Sequence, residues 1–211
     1  MYNPKSSKAE EFIAHEEVLA SLEYGEKNKS NVEEIDRILN KAREKKGITH
    51  REAMVLLDCD IEEKNQEIYA LAKEIKEEFY GNRIVMFAPL YLSNYCINGC
   101  EYCPYHARNK HIARKKLSQE EIVKEVTALQ DMGHKRLALE AGEDPVNNPI
   151  EYILECIQTI YGIKHKNGAI RRVNVNIAAT TVENYRKLHE AGIGTYILFQ
   201  ETYHKESYEQ L

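Results

Sequence analysis

From Arg83 onward, short apolar runs alternate with capped helical patterns, and this alternation restricts the fold more than any other feature. Residues 84–92, 137–140, 173–177 and 196–199 read as four strands. Between them, Ser118 caps a helix with Glu121 at the capping-box position, running to Gly133. Asn148-Pro149 starts a second helix, with proline at its first position and Ile153, Leu154, Ile157 and Ile160 facing inward. Thr181 caps a third, which stops at Gly192. Strand–helix repetition predicts parallel strands joined by right-handed crossovers. An open doubly wound sheet and a TIM-type barrel both accommodate it, but four strands cannot close an eight-stranded barrel.

The first eighty residues are helical in pattern. Asn31 caps a helix whose Ile35, Ile38, Leu39 and Ala42 share one face, with Gly47 as its stop. Thr49 and Glu52 form a capping box for a short helix through Leu57. A further helix carries Ile68, Leu71, Ala72, Ile75 and Phe79 on one stripe and ends at Gly81. The expected organisation is a helical extension over 1–81 and an α/β core over 82–211. There is no internal repeat and no low-complexity linker.

The 211 residues carry a formal net charge of −5. With no basic surplus to neutralise phosphates, nucleic acid is not an expected partner. No apolar run approaches the ~18 residues that span a bilayer, and the N-terminal stretch lacks a signal-peptide core. The expectation is a cytoplasmic protein without a membrane partner. Three of its five cysteines crowd into eight positions, which suggests metal rather than a disulfide framework.

The distinctive polar residues follow the strands. Cys96-Ile-Asn-Gly-Cys100-Glu-Tyr-Cys103 comes after the first and Ala141-Gly142-Glu143-Asp144-Pro145 after the second. Asn174 and Asn176 lie on the third, and Gln200-Glu201-Thr202-Tyr203-His204 follows the fourth. In parallel α/β architectures the C-terminal strand ends form the active face, so these clusters converge there. Thiolates are soft ligands for iron–sulfur clusters or zinc. Cys96, Cys100 and Cys103 leave one iron of a cluster open, whereas His106, three residues further on, offers a closed Cys3His zinc site and a structural interaction module. Asn98-Gly99 supplies the turn of the loop. Cys59 and Cys156 read as packed residues, the latter on the side of its helix shared by Ile153 and Ile160.

CxxxCxxC with an aromatic, Tyr102, before its last cysteine and after a first strand resembles the radical S-adenosylmethionine (SAM) signature. The surrounding stretches Leu90-Tyr-Leu-Ser-Asn-Tyr, Cys103-Pro-Tyr-His106, Asn109-Lys-His and Asp131-Met-Gly-His-Lys-Arg-Leu resemble the tyrosine lyases of FeFe-hydrogenase maturation, the HydG family. The 2-iminoacetate synthases of the thiamine pathway are close relatives and an alternative. The resemblance implies the N-terminal half of a radical-SAM TIM-type barrel, preceded by the helical extension. It implies a 4Fe-4S cluster on Cys96, Cys100 and Cys103, with SAM chelating the open iron. Ala141-Gly142-Glu143 resembles the GGE element that holds the SAM amino group, with alanine in place of the first glycine. Glu201 falls where relatives bind the ribose hydroxyls, Tyr102 lies against the adenine, and Asn176 with Asn174 faces the barrel lumen. No catalytic residue beyond the cluster ligands is implied.

The implied reaction is cleavage of the tyrosine Cα–Cβ bond to p-cresol and dehydroglycine, the source of carbon monoxide and cyanide. The implied partners are tyrosine, an electron donor such as flavodoxin or ferredoxin, and other hydrogenase maturases. No residues match the rest of such a barrel or a second-cluster domain. The chain is therefore expected to be a fragment of a longer protein, unable to make carbon monoxide or cyanide alone and prone to associate through an unpaired strand edge. Arg136, Arg171 and Arg172 precede their strands and read as structural charges on the opposite rim. His111, Lys115 and Lys116 read as solvated.

Overall fold

The computed structural model describes residues 14–166 and 168–199, with 3, 5, 6, 8, 11, 202, 207 and 210 besides. The chain forms two compact units, Met1–Ile84 and Val85–Leu211.

The first unit holds helices α1 (His15–Asn28), α2 (Val32–Arg43), α3 (His50–Asp58) and α4 (Glu62–Tyr80). The local signals at Asn31 and Thr49 operate as the sequence suggests. The Asn31 side chain accepts from the Glu34 amide, and Thr49 and Glu52 make a reciprocal capping box. Ile35, Ile38, Leu39, Val55, Cys59 and Leu71 form the core. Two details differ from expectation. Helix α2 ends at Arg43, with Lys45 at positive φ ahead of Gly47. Ala72 and Phe79 stay exposed, so the inner face of α4 is confined to Ile68, Leu71 and Ile75. Helix α1 has no side-chain cap to announce it. It is positioned by packing on α3, where a Cβ at Gly25 would stand 2.8 Å from Met54 Cβ, and by the paired Arg51–Glu17 bonds at 2.9 and 2.7 Å.

Glu52 ties helix α2 to the capped start of α3. Its carboxylate accepts from Thr49 N, Arg37 and Lys41 at 2.7, 3.0 and 2.7 Å, with the side chain only 8% exposed. Lys41 first, then the Thr49 amide, hold its carboxyl down at about 2, against an ordinary 4.5. A depressed carboxyl stabilises the fold above its unfolded value and loses that contribution as pH falls from about 4.5 through about 2. Glu52→Gln is expected to cost about 2 kcal/mol at neutral pH and to flatten the acid limb of stability. Urea titrations of both proteins between those pH values check it.

The second unit orders β1 (Ala88–Ser93), α5 (Gln119–Asp131), β2 (Arg136–Ala141), α6 (Ile150–Gly162), β3 (Arg172–Asn176), α7 (Val182–Glu190) and β4 (Tyr196–Ile197). The strands make one open sheet in chain order, every pair parallel. Leu90, Leu92, Leu137, Leu139, Val173 and Val175 are buried in one core with Ile122 and Val126 of α5, the α6 isoleucines and Leu188 of α7. Alternation places Tyr91, Glu140, Asn174 and Asn176 on the other face. Ser118 and Thr181 cap as expected. The first strand is shorter than its apolar run, because pairing begins only at Ala88 and residues 84–87 are exposed. Cys156 is fully buried, and burial raises its thiol to about 11. Among the described residues, no helix is long and apolar enough to cross a membrane.

Candidate functional site

The parallel ladder of β1 and β2 continues beyond the sheet and fixes the cysteine loop to the second polar cluster. Its register slips between Tyr91 and Ser93. Gly142 N then donates to Ser93 O at 3.3 Å and Ile97 N to Glu143 O at 2.8 Å. Asn98 Nδ2 adds a bond to Glu143 Oε2 at 2.6 Å. Gly142 lies flush against the start of the loop. A Cβ there would fall 2.8 Å from Cys96 Cβ and closer still to the Tyr95 carbonyl oxygen. Glycine is required here by close approach, because no side chain fits.

Asn148 locks the same junction. Its Nδ2 donates to Tyr95 O at 3.0 Å and Gly142 O at 2.8 Å. Pro149, rather than Asn148, takes the cap position of α6, which corrects the expectation of proline at the first helical position. The Asn148 amide is spent on the loop junction instead. Its Oδ1 is buried without a partner among the described residues.

The cysteine loop closes through main-chain turns: Cys103 N to Cys100 O and His106 N to Cys103 O, both 3.2 Å, and Ala107 N to Asn98 O, 2.7 Å. Gly99 does not occupy the left-handed region, so the turn does not require a glycine there. Arg114 gathers the loop, its guanidinium donating to the carbonyls of Asn94, Tyr105, His106 and Asn109. Asn94 fixes the return of the chain through Ala113 O and Lys115 N. Cys96, Cys100 and Cys103 are half-buried and form no disulfide. His106 is half-buried, and its Nδ1 has no partner among the described residues.

Among the described residues, no three His, Cys, Asp or Glu side chains converge tightly enough to hold a single metal ion. Cluster thiolates bind different irons and stand farther apart than the ligands of one ion. Three half-buried thiols on one pinned loop, with Gly142 packed directly against Cys96, supply the donor set of a cluster with one open iron.

The other singled-out residues fall as follows. Tyr102 is exposed beside the loop, Ala141 closes β2 half-buried, and Glu143 is exposed and held by Asn98. Residues 141–145 and 177–180 line a cavity of about 310 Å³ at the strand ends. Asn176 Nδ2 donates to Glu140 Oε2 at 2.6 Å, giving the polar pair its partner, while Asn174 accepts from Arg172 Nε at 3.2 Å. Glu201, with Gln200, Tyr203 and His204, lies outside the described residues. Arg136, Arg171 and Arg172 line a separate cavity at the opposite rim with Lys135. Lys115 and Lys116 are exposed but engaged. Lys115 pairs with Glu121 at 2.8 Å, and the Lys116 ammonium lies 4.0 Å over the Tyr152 ring.

The family model of the radical SAM superfamily matches residues 90–211, more than half of the chain and the whole of the strand-end geometry above. The chain belongs to the radical SAM superfamily. Members of this superfamily use a 4Fe-4S cluster and SAM, so these are its cofactors. The crystal structure of HydG, a maturase of the FeFe-hydrogenase, superposes with a TM-score of 0.86 and 57% identity over 94% of this chain and 43% of that one. The 3-methylornithine synthase of Methanosarcina acetivorans is 30% identical over 87% of this chain and 51% of its own length. The 2-iminoacetate synthase of Salmonella typhimurium is 28% identical over 87% and 46%. The chain thus spans about half the length of the relatives it matches. Its open parallel sheet is a partial radical SAM barrel.

Proposed function

We propose that this chain is part of a radical SAM tyrosine lyase of FeFe-hydrogenase maturation, cleaving the tyrosine Cα–Cβ bond to p-cresol and dehydroglycine. The observation that carries the reading is the 57% identity to HydG across nearly the whole chain, against 30% or less to the 3-methylornithine and 2-iminoacetate synthases. Cys96, Cys100 and Cys103 would ligate three irons. Gly142 and Glu143 would receive the SAM amino group beside the open iron, with Tyr102 against adenine and Ala141, Asn176 and Glu201 completing the SAM contacts. When bound, the cluster and SAM supply one-electron cleavage of SAM and a hydrogen-abstracting radical.

The chain's own contribution is placement. The Arg114 clamp and the Asn148 lock fix the loop against β2, so the cofactor end cannot drift from the substrate floor of the sheet. Conversion of dehydroglycine to carbon monoxide and cyanide belongs, in this reading, to the longer protein. Its electron donor is a flavodoxin or ferredoxin, and its partners are other hydrogenase maturases.

Anaerobic incubation of the full-length protein with SAM, a reductant and single amino acids tests the reading by mass spectrometry. p-Cresol from tyrosine alone is expected. Turnover of another amino acid with none of tyrosine would move the protein to a different branch of the superfamily.

A further inference from the structure

Among the described residues, the sheet face away from the helices carries one carboxylate. Glu140 stands one residue inside the C-terminal end of β2, directly in register with Asn176 of β3. Its bond from Asn176 Nδ2, 2.6 Å, is its one hydrogen bond among the described residues. No ion pair reaches it there. Arg172, the guanidinium on the same face of β3, is engaged by Asn174 and by Thr195 Oγ1, the latter at 2.8 Å. Burial pushes the Glu140 carboxyl up, and Asn176 opposes this. Tyr91 of β1 is the register partner of Glu140 on its other side, so Tyr91, Glu140 and Asn176 stand in one row across the sheet.

A half-buried anion with a single neutral donor is incompletely compensated, and a cation placed beside it restores the balance. Among the described residues, Glu140 belongs to no group of three or more His, Cys, Asp or Glu side chains that could hold a metal ion. SAM binding does not require it either, since Gly142 and Glu143 lie beyond the strand end, nearer the loop. Glu140 lies one position inside the strand end, on the sheet face, with Tyr91 as its neighbour on β1. We propose that Glu140, braced by Asn176, binds the ammonium group of an α-amino-acid substrate whose aromatic side chain packs beside Tyr91. The assignment rests on the proposed lyase reading and names the residue that anchors its substrate.

Equilibrium dialysis on the reconstituted full-length protein tests it, with radiolabelled tyrosine and with 3-(4-hydroxyphenyl)propanoate, which lacks only the amino group. Glu140→Gln is expected to weaken tyrosine binding about tenfold or more and to leave the deamino analogue unchanged. Glu140→Asp should recover part of the loss. Cluster absorbance and SAM affinity should match the parent protein in both variants. Unchanged tyrosine affinity in Glu140→Gln, or equal loss of both ligands, overturns the assignment. If the parent protein ignores tyrosine and binds another α-amino acid, the lyase reading falls, and the same comparison on that amino acid decides the role of Glu140 separately.

Discussion

Alanine at Cys96, Cys100 or Cys103 is expected to abolish SAM cleavage, the largest effect of any substitution in this chain. The three thiols are the whole protein ligand set in the proposed site. Loss of an outer partner of a metal site costs about 10–100-fold, so loss of a thiolate should exceed that range. Iron and sulfide per chain, measured after anaerobic reconstitution, should fall in each variant, and 5′-deoxyadenosine should drop below detection. Cys59→Ala and Cys156→Ala are the controls, because both thiols are packed in apolar cores. A full cluster in all three loop variants would sink the ligand assignment. Stoichiometric zinc without iron in the parent protein would restore the structural reading.

Gly142→Ala should follow closely in effect. The added methyl meets the Tyr95 carbonyl and Cys96 Cβ, and neither is the free end of a flexible side chain. The loop must shift as a body, breaking the Ile97–Glu143 and Asn148 bonds. Overpacking of this kind costs about 1–3 kcal/mol. The larger consequence is displacement of Cys96, expected to lower both cluster occupancy and SAM affinity while the helices of the sheet remain folded. Gly99→Ala is the internal comparison. A Cβ there meets only Arg108 Nη2 at 3.7 Å, an ordinary contact, so it should behave as the parent does. Equal behaviour of the two alanine variants would remove the close-approach argument.

Much of this was legible before any coordinate. Caps at Asn31, Thr49, Ser118 and Thr181 are local chemistry, readable from four consecutive residues. The cysteine spacing is likewise a property of one loop. What escaped was determined by partners distant in the chain. Arg114 reads as one more surface cation until its guanidinium is found among four carbonyls. Asn148 reads as a helix start, yet its amide serves a junction more than fifty residues upstream. Glu140 hides inside an apolar strand, and only the β2–β3 register brings Asn176 across to it. Helix α1 has no cap to mark it and depends on a glycine fitting under Met54. Apolar residues 84–87 misled in the other direction, since hydrophobicity alone does not say where backbone pairing starts.

The Arg114 clamp bears on when the loop is ordered. Its four carbonyl bonds, with those of Asn94 and Asn148, are made entirely within the polypeptide. The conformational entropy of some twenty residues is therefore surrendered while the chain folds, before any inorganic component arrives. In the proposed site, iron and sulfide would be delivered to a loop already shaped to receive them, so that little of their binding energy is diverted into ordering it. For the same reason, a chain stripped of its cluster by oxygen would keep its receptacle. Damage and repair would then become a cycle of cofactor exchange rather than of unfolding and resynthesis.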